Sequence, residues 1–275
     1  MQLRKRFPHI NIGLIDNGIS LIKYREILHS IRPDWIDISL DGQEQEHDLQ
    51  RGRVGSFRAG LEGVLWLVRN RVTPKVNILT CLTTLNQKSV LPMIRELNEI
   101  GLKNFFITPV MLVDGVRPSS KLRISGEDFF NFTKELLSFL ALLDDAWIEI
   151  NLFSAAYAEY LAQFFPHIWS RLVCEQDSLV WHENSPAKGR FKGSEIYVRY
   201  YPTSLTGVRE FIVNTNGDVI VPKSIASGKV ANEQIAGNLL QKKAIEIAKG
   251  FADSAAFNFY LQEFFREQDT LRRYI

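Results

Sequence analysis

The chain has 275 residues, with 33 Lys+Arg against 31 Asp+Glu, a formal charge of only +2, and 45% hydrophobic and 23% charged residues. These are ordinary values for a soluble globular protein that buries a core without staples, and they leave no basic footprint for nucleic acid. Two cysteines exclude a disulfide framework and point to a reducing, cytoplasmic setting; no apolar run reaches the roughly 18–20 residues of a membrane span, and the N-terminus has no apolar signal core.

Short β-branched runs then alternate with amphipathic stretches, the grammar of parallel βα units. Asn11–Ile15 reads as a buried strand ending at the turn Asp16-Asn17-Gly18. Leu21, Tyr24, Ile27, Leu28 and Ile31 recur at helical spacing, so a helix is expected over Leu21–Ile31, broken at Pro33. Trp35–Leu40 is the next strand, closing on Asp41-Gly42, and Phe57–Val72 the next helix, with Ser56 as its candidate cap. Lys75–Thr83 predicts a strand, Ser89–Ile100 a helix with Gly101 as its C-cap, and Asn104–Thr108 a strand before a loop carrying Pro109, Gly115 and Pro118. Ser125 and Asp128 open a helix expected to run through Leu143. Its Phe129, Phe130, Phe132, Leu136, Leu137, Phe139 and Leu140 read as core rather than as a binding stripe. Trp147–Phe153 is a fifth strand and Ala155–Leu172 a further helix.

The pattern changes after Val173. Glu195–Tyr201 and Arg209–Val221 alternate with period two, and Asn216-Gly217-Asp218 within the second run is a strong hairpin signal. Two helices are expected beyond it, over Ala231–Lys249 and Ala252–Arg272. The expected organisation is an α/β body over residues 1–173 and a small α+β part over residues 174–275.

Metal chemistry finds no support. Cys81 and Cys174 lie far apart, and His9, His29, His47, His167 and His182 show no HxH or HExxH spacing. Gly52 and Gly55 belong to RGRVGSF, which lacks the Lys-Ser/Thr of a phosphate-binding loop. What remains is polar residues at strand ends. In parallel α/β folds ligands collect outside the carboxyl ends of the strands, so Asp16, Asn17, Ser39, Asp41, Thr83, Asn86 and Thr108 are candidates for one rim. Each alone is more often a cap or turn residue. Asp37 and Ser39 share a strand face, and Asp37, Asp41 and Glu149 are the carboxylates placed for acid–base work if the chemistry is of another class.

One segment is more specific. Residues 39–57, SLDGQEQEHDLQRGRVGSF, place His47, Asp48 and Arg51 in a loop before the helix at Ser56, and strongly resemble the middle of radical SAM enzymes, particularly those with a C-terminal SPASM or twitch extension. That pattern is a strand ending S-[LV]-D-G, then H-D-x-x-R, a glycine, and [GS]-S-F opening the next helix. IDNGISL at 15–21 is similar to the preceding T-N-G strand end, with Asp16 in place of Thr, and residues 76–110 are similar to the next two strands. FIVNTNGDVIVPK at 211–223, with IAGNL at 235–239, resembles the twitch hairpin and its trailing G-N, so the likeness runs from about residue 9 to about residue 245.

The resemblance implies a partial (β/α) barrel lacking its first strands, a twitch-like extension, and S-adenosylmethionine (AdoMet) as ligand. Ser39 would bond the ribose and Arg51 the methionine carboxylate, the backbone of Val110–Leu112 would meet the adenine, and Asp41 and Asn86 would support them. A peptide substrate is the family-level expectation. Two departures stand out. The CxxxCxxC that holds a [4Fe-4S] cluster and the G-G-E-like strand have no counterpart, and Pro222-Lys223 replaces the Pro-Cys of an auxiliary cluster. Thiolates are what such a cluster needs, so it is expected only if a missing N-terminal segment is supplied. The readings are then a truncated or split radical SAM enzyme, or a non-catalytic partner or scaffold whose exposed N-terminal sheet edge is covered by another chain or a second copy. The third is a βα enzyme of another class.

Overall fold

The computed structural model describes residue 4 and residues 8–110, 119–152, 171–175, 178–182, 194–200, 212–213, 216–220 and 235–250. Four βα steps and a fifth strand come first. Strand β1 (Gly13–Asp16) leads through a 3-10 turn (Ile22–Tyr24) into helix α1 (Arg25–Ile31), and β2 (Trp35–Ser39) into α2 (Glu44–Arg51) and α3 (Ser56–Asn70). Then follow β3 (Val76–Leu82), α4 (Val90–Glu99), β4 (Asn104–Pro109), the short α5 (Ser119–Leu122), α6 (Gly126–Phe139) and β5 (Trp147–Leu152). Next come β6 (Arg171–Glu175), β7 (Ser178–His182) and β8 (Glu195–Tyr200).

These make one eight-stranded sheet, ordered β1-β2-β3-β4-β5-β8-β7-β6. β1 to β5 and β8 run parallel, and the hairpin β6–β7 is antiparallel at the far edge. The six parallel strands with their helices form a partial barrel that does not close. The α/β architecture is therefore the one expected. The main sheet continues past residue 173, however, because Glu195–Tyr200 pairs in parallel with β5 instead of joining the smaller part. A separate three-stranded antiparallel sheet joins β9 (Ile212–Val213), β10 (Asp218–Ile220) and β11 (Ile235–Asn238), followed by α7 (Ala244–Gly250). Its Gly217 takes φ +87°, as the Asn-Gly signal requires.

One face of the parallel sheet builds the core. Ile36, Ile38, Ile78, Phe105, Ile107, Ile148 and Ile150 pack in one cluster with Val64 and Leu67 of α3, Met93 and Ile94 of α4, and Phe129, Phe132 and Leu136 of α6. The other face is less covered, with Trp35, Asp37 and Ser39 of β2 half-buried. Ser125 caps α6 by accepting from the Asp128 amide, as its sequence predicts.

Several local expectations need correction. Residues 44–51 form a helix rather than a loop. Gly42 turns the chain at φ +144°, Glu44 and Glu46 suit a helix N-terminus, and Gly52 ends the helix in the left-handed region. Ser56 is the first helical residue of α3 and not its cap; Gly55 holds that place at φ +82°. The helix expected over Leu21–Ile31 is divided into a 3-10 turn and α1. The helix expected over Ala231–Lys249 holds a strand in its first half, Ile235–Asn238, and is helical from Ala244. Residues 171–172 begin a strand, while the rest of the expected helix Ala155–Leu172, all of Ala252–Arg272, and Leu112 lie outside the described residues.

Candidate functional site

The loop after β1 is fixed first. The Asp16 carboxylate accepts from the Gly18 amide at 2.7 Å, and Gly18 turns at φ +82°. That loop lies backbone-to-backbone on α3: a Cβ placed on Gly63 would be 2.2 Å from the Gly18 carbonyl oxygen. Only glycines at this crossing let the loop seat where the strands end.

Asp41 sits at the end of β2, 1% exposed, and ties together three other segments. Its carboxylate accepts from the Cys81 amide at 2.9 Å and pairs with Arg51 Nε of α2 at 2.6 Å. Its own amide donates to His47 Nδ1 at 3.0 Å, so the His47 proton resides on Nε2. Its carbonyl accepts from Asn86 Nδ2, which also donates to the Cys81 carbonyl at 2.8 Å. Asn86 Oδ1 in turn accepts from the Thr83 amide at 2.7 Å. Thr83 Oγ1 donates to Gln50 Oε1 at 2.8 Å, and Gln50 Nε2 donates to the Cys81 carbonyl at 3.0 Å.

Asp48 organises the other side of α2. It accepts from the Gly55 amide, the Phe57 amide and Ser56 Oγ at 2.5, 2.8 and 2.8 Å, capping α3 from outside. Burial raises its carboxyl pKa, but these donors outweigh it and hold the group below its usual value of 3.8. His47 is 2% exposed, edge-on to Phe57 at 5.7 Å. Burial lowers its pKa from 6.5; the neighbouring Asp41 and Asp48 charges oppose this and Arg51 adds to it. Burial and the Asp41 charge push the Cys81 thiol up to about 11, with Arg51 acting the other way. Asp37 is raised by burial even though Asn77 Nδ2 donates to it at 2.7 Å.

Between these segments lies a cleft of about 140 Å³, lined by Asn17, Ile19, His47, Arg51, Arg53 and Ser56. Arg51 has one guanidinium edge on Asp41, which leaves its terminal amino groups for a second planar anion. Ser39 ends β2 half-buried, and Thr108 and Val110 stand at the end of β4. The strand-end residues expected to share a rim thus all lie at the same end of the parallel sheet. Sequence reasoning missed Gln50 and the His47 contact to the Asp41 backbone. Both depend on α2 being a helix. Among the described residues no three His, Cys, Asp or Glu side chains gather as metal ligands, and no helix is long and apolar enough to cross a membrane.

Similar folds occur in solved structures. Native anSMEcpe with bound AdoMet superposes with a TM-score of 0.58 at 14% identity, over 94% of this chain and 62% of that one. Native anSMEcpe with bound AdoMet and the Kp18Cys peptide gives 0.55 at 13% identity, over 94% and 63%. The form with the Cp18Cys peptide gives 0.55 at 14%, over 90% and 60%. This chain therefore spans about three fifths of their length, and at these identities what is shared is the fold. No family model and no curated protein matches the chain.

Proposed function

We propose that the chain binds AdoMet at the C-terminal end of its parallel strands and engages a peptide or small molecule, resembling radical SAM enzymes but without the cluster ligands of their chemistry in this chain. The observation that carries this is Arg51, held at 2.6 Å by buried Asp41 beside a cleft that suits an amino-acid carboxylate. The fold shared with AdoMet-bound and peptide-bound neighbours supports it. In this reading Arg51 takes the carboxylate bidentately, Ser39 the ribose, and the Val110–Leu112 backbone the adenine. Asp41 and Asn86 hold Arg51 and the β3–α4 loop in place. Residues 212–250, with their Asn-Gly hairpin and trailing Gly237-Asn238, are the counterpart of the twitch extension.

The residues of this chain do not fit a [4Fe-4S] cluster. Cys81 and Cys174 are its two cysteines, and burial and Asp41 together raise the Cys81 thiol. Such a cluster would have to be held by thiolates this sequence does not supply.

Calorimetric titration of the purified chain with AdoMet tests the reading. Arg51→Lys is expected to weaken binding by about tenfold or more, because an ammonium cannot replace the planar fork. Ser39→Ala is expected to weaken it a few-fold. Absence of binding at millimolar AdoMet, or an unchanged affinity in Arg51→Lys, would overturn it.

A second role is favoured by β1. It stands at the end of the strand order with Ile15 73% exposed, an edge on which a partner chain or a second copy could add a strand. In this reading the chain is a scaffold or partner subunit.

A further inference from the structure

We propose that the rim beside the cleft is a docking surface for an acidic peptide segment carrying aliphatic side chains. Three segments form one continuous band there. Gln50 of α2 bonds Thr83 and the Cys81 carbonyl, joining α2 to the β3–α4 loop. Thr84 then joins that loop to residues 121–122: its Oγ1 donates to the Lys121 carbonyl at 2.9 Å and its amide to the Leu122 carbonyl at 3.0 Å.

Arg53, Lys88, Lys121 and Arg123 stand exposed along this band, and none has an acidic partner among the described residues. The acids of the same segments are mostly engaged: Asp41 on Arg51, Asp48 on the start of α3, and Glu44 on Arg58 at 2.7 Å. Glu46 alone among these acids has neither an ion pair nor a side-chain hydrogen bond among the described residues. In the same segments as the cations, Val54 is 95% exposed, Leu49 64% and Leu85 39%.

Charge complementarity selects an acidic occupant, and the exposed aliphatic side chains select one with apolar groups of its own. Nucleic acid is the poorer fit. Its bases need aromatic platforms, and residues 43–56, 83–88 and 119–124 contain no Phe, Tyr or Trp. The inference deepens the AdoMet reading by naming the substrate chemistry at the same mouth, and it rests on that reading only for where the reacting group would lie.

Fluorescence anisotropy with the full chain and a labelled peptide of alternating Glu-Glu and Leu-Leu pairs tests this. Binding is expected to weaken with salt, and by about tenfold or more in the variant combining Lys88→Glu, Lys121→Glu and Arg123→Glu. Val54→Ser should weaken it about threefold, reporting the apolar share. AdoMet titration of the triple variant should be unchanged. If that variant loses its circular-dichroism spectrum, the single reversals serve in its place. An unchanged peptide affinity, or tighter binding of an oligonucleotide of equal charge, overturns the proposal. Peptide binding without AdoMet binding would overturn the AdoMet reading and leave this one standing.

Discussion

Asp41 is the residue on which the site turns, because its backbone and its carboxylate hold different neighbours. Asn86→Ala would leave the buried Asp41 carbonyl and the Thr83 amide without their partner, and the Cys81 carbonyl with Gln50 alone. The expected loss is on the order of 2–4 kcal/mol, read as a lowered denaturant midpoint with unchanged m-value. His47 gives a pH signature. Only the neutral ring can accept from the Asp41 amide, and burial depresses its folded pKa below 6.5. Above that value the ring is neutral in both states and the contact contributes fully. As pH falls below it the unfolded chain takes up the proton more readily, so stability declines down to the folded pKa. Tm should drop as pH falls below 6.5, and less so in His47→Asn, which keeps an acceptor but does not titrate. Cys81, raised to about 11, should resist iodoacetamide at neutral pH in the native protein, as peptide mass spectrometry would show. The spacing of Ser39, Asp41, His47, Asp48 and Arg51 was legible as a motif. What each touches was not, because Cys81 and Asn86 reach Asp41 from forty or more residues away in sequence.

At the scale of elements, the parallel strands were read well, whereas β6, β7, β11 and the short helices were not. Val76–Leu82 and Trp147–Leu152 are long β-branched runs whose pattern is decisive. α2 is the instructive miss. EQEHDLQR has no apolar stripe, and it is helical because Asp48 and His47 are fastened to other segments and Gly52 ends it. Tertiary contacts outrank propensity in so short a helix. α3 depends on its glycines in the opposite sense, since they are there for close approach. Gly63→Ala should gain helix propensity yet lower stability by about 1–3 kcal/mol, because its methyl would meet the Gly18 carbonyl. A variant more stable than wild type in thermal denaturation would show that the β1 loop yields instead.

For the whole molecule, two sheet edges differ in kind. The β6 edge belongs to a hairpin, while β1 is a short parallel strand with an exposed isoleucine. If β1 is a partner's docking edge, Ile15→Glu should convert a dimer or heteromer to a monomer in light scattering while leaving Tm within a degree or two. Glu195–Tyr200 was legible as a strand but not as a member of the main sheet, since alternation says nothing of which neighbour a strand will choose. That choice also sets the order of assembly. β1 to β5 are laid down side by side as the chain lengthens, each needing only its own crossover to dock. β8 inserts against β5 with the β7 and β6 hairpin outside it, and its place is available only after everything from Trp147 to Tyr200 has been made. Once β1 to β5 have emerged and before β8 is made, the sheet would present a five-stranded intermediate with a second open margin at β5, and the cell's chaperones would meet the protein there as well as at β1.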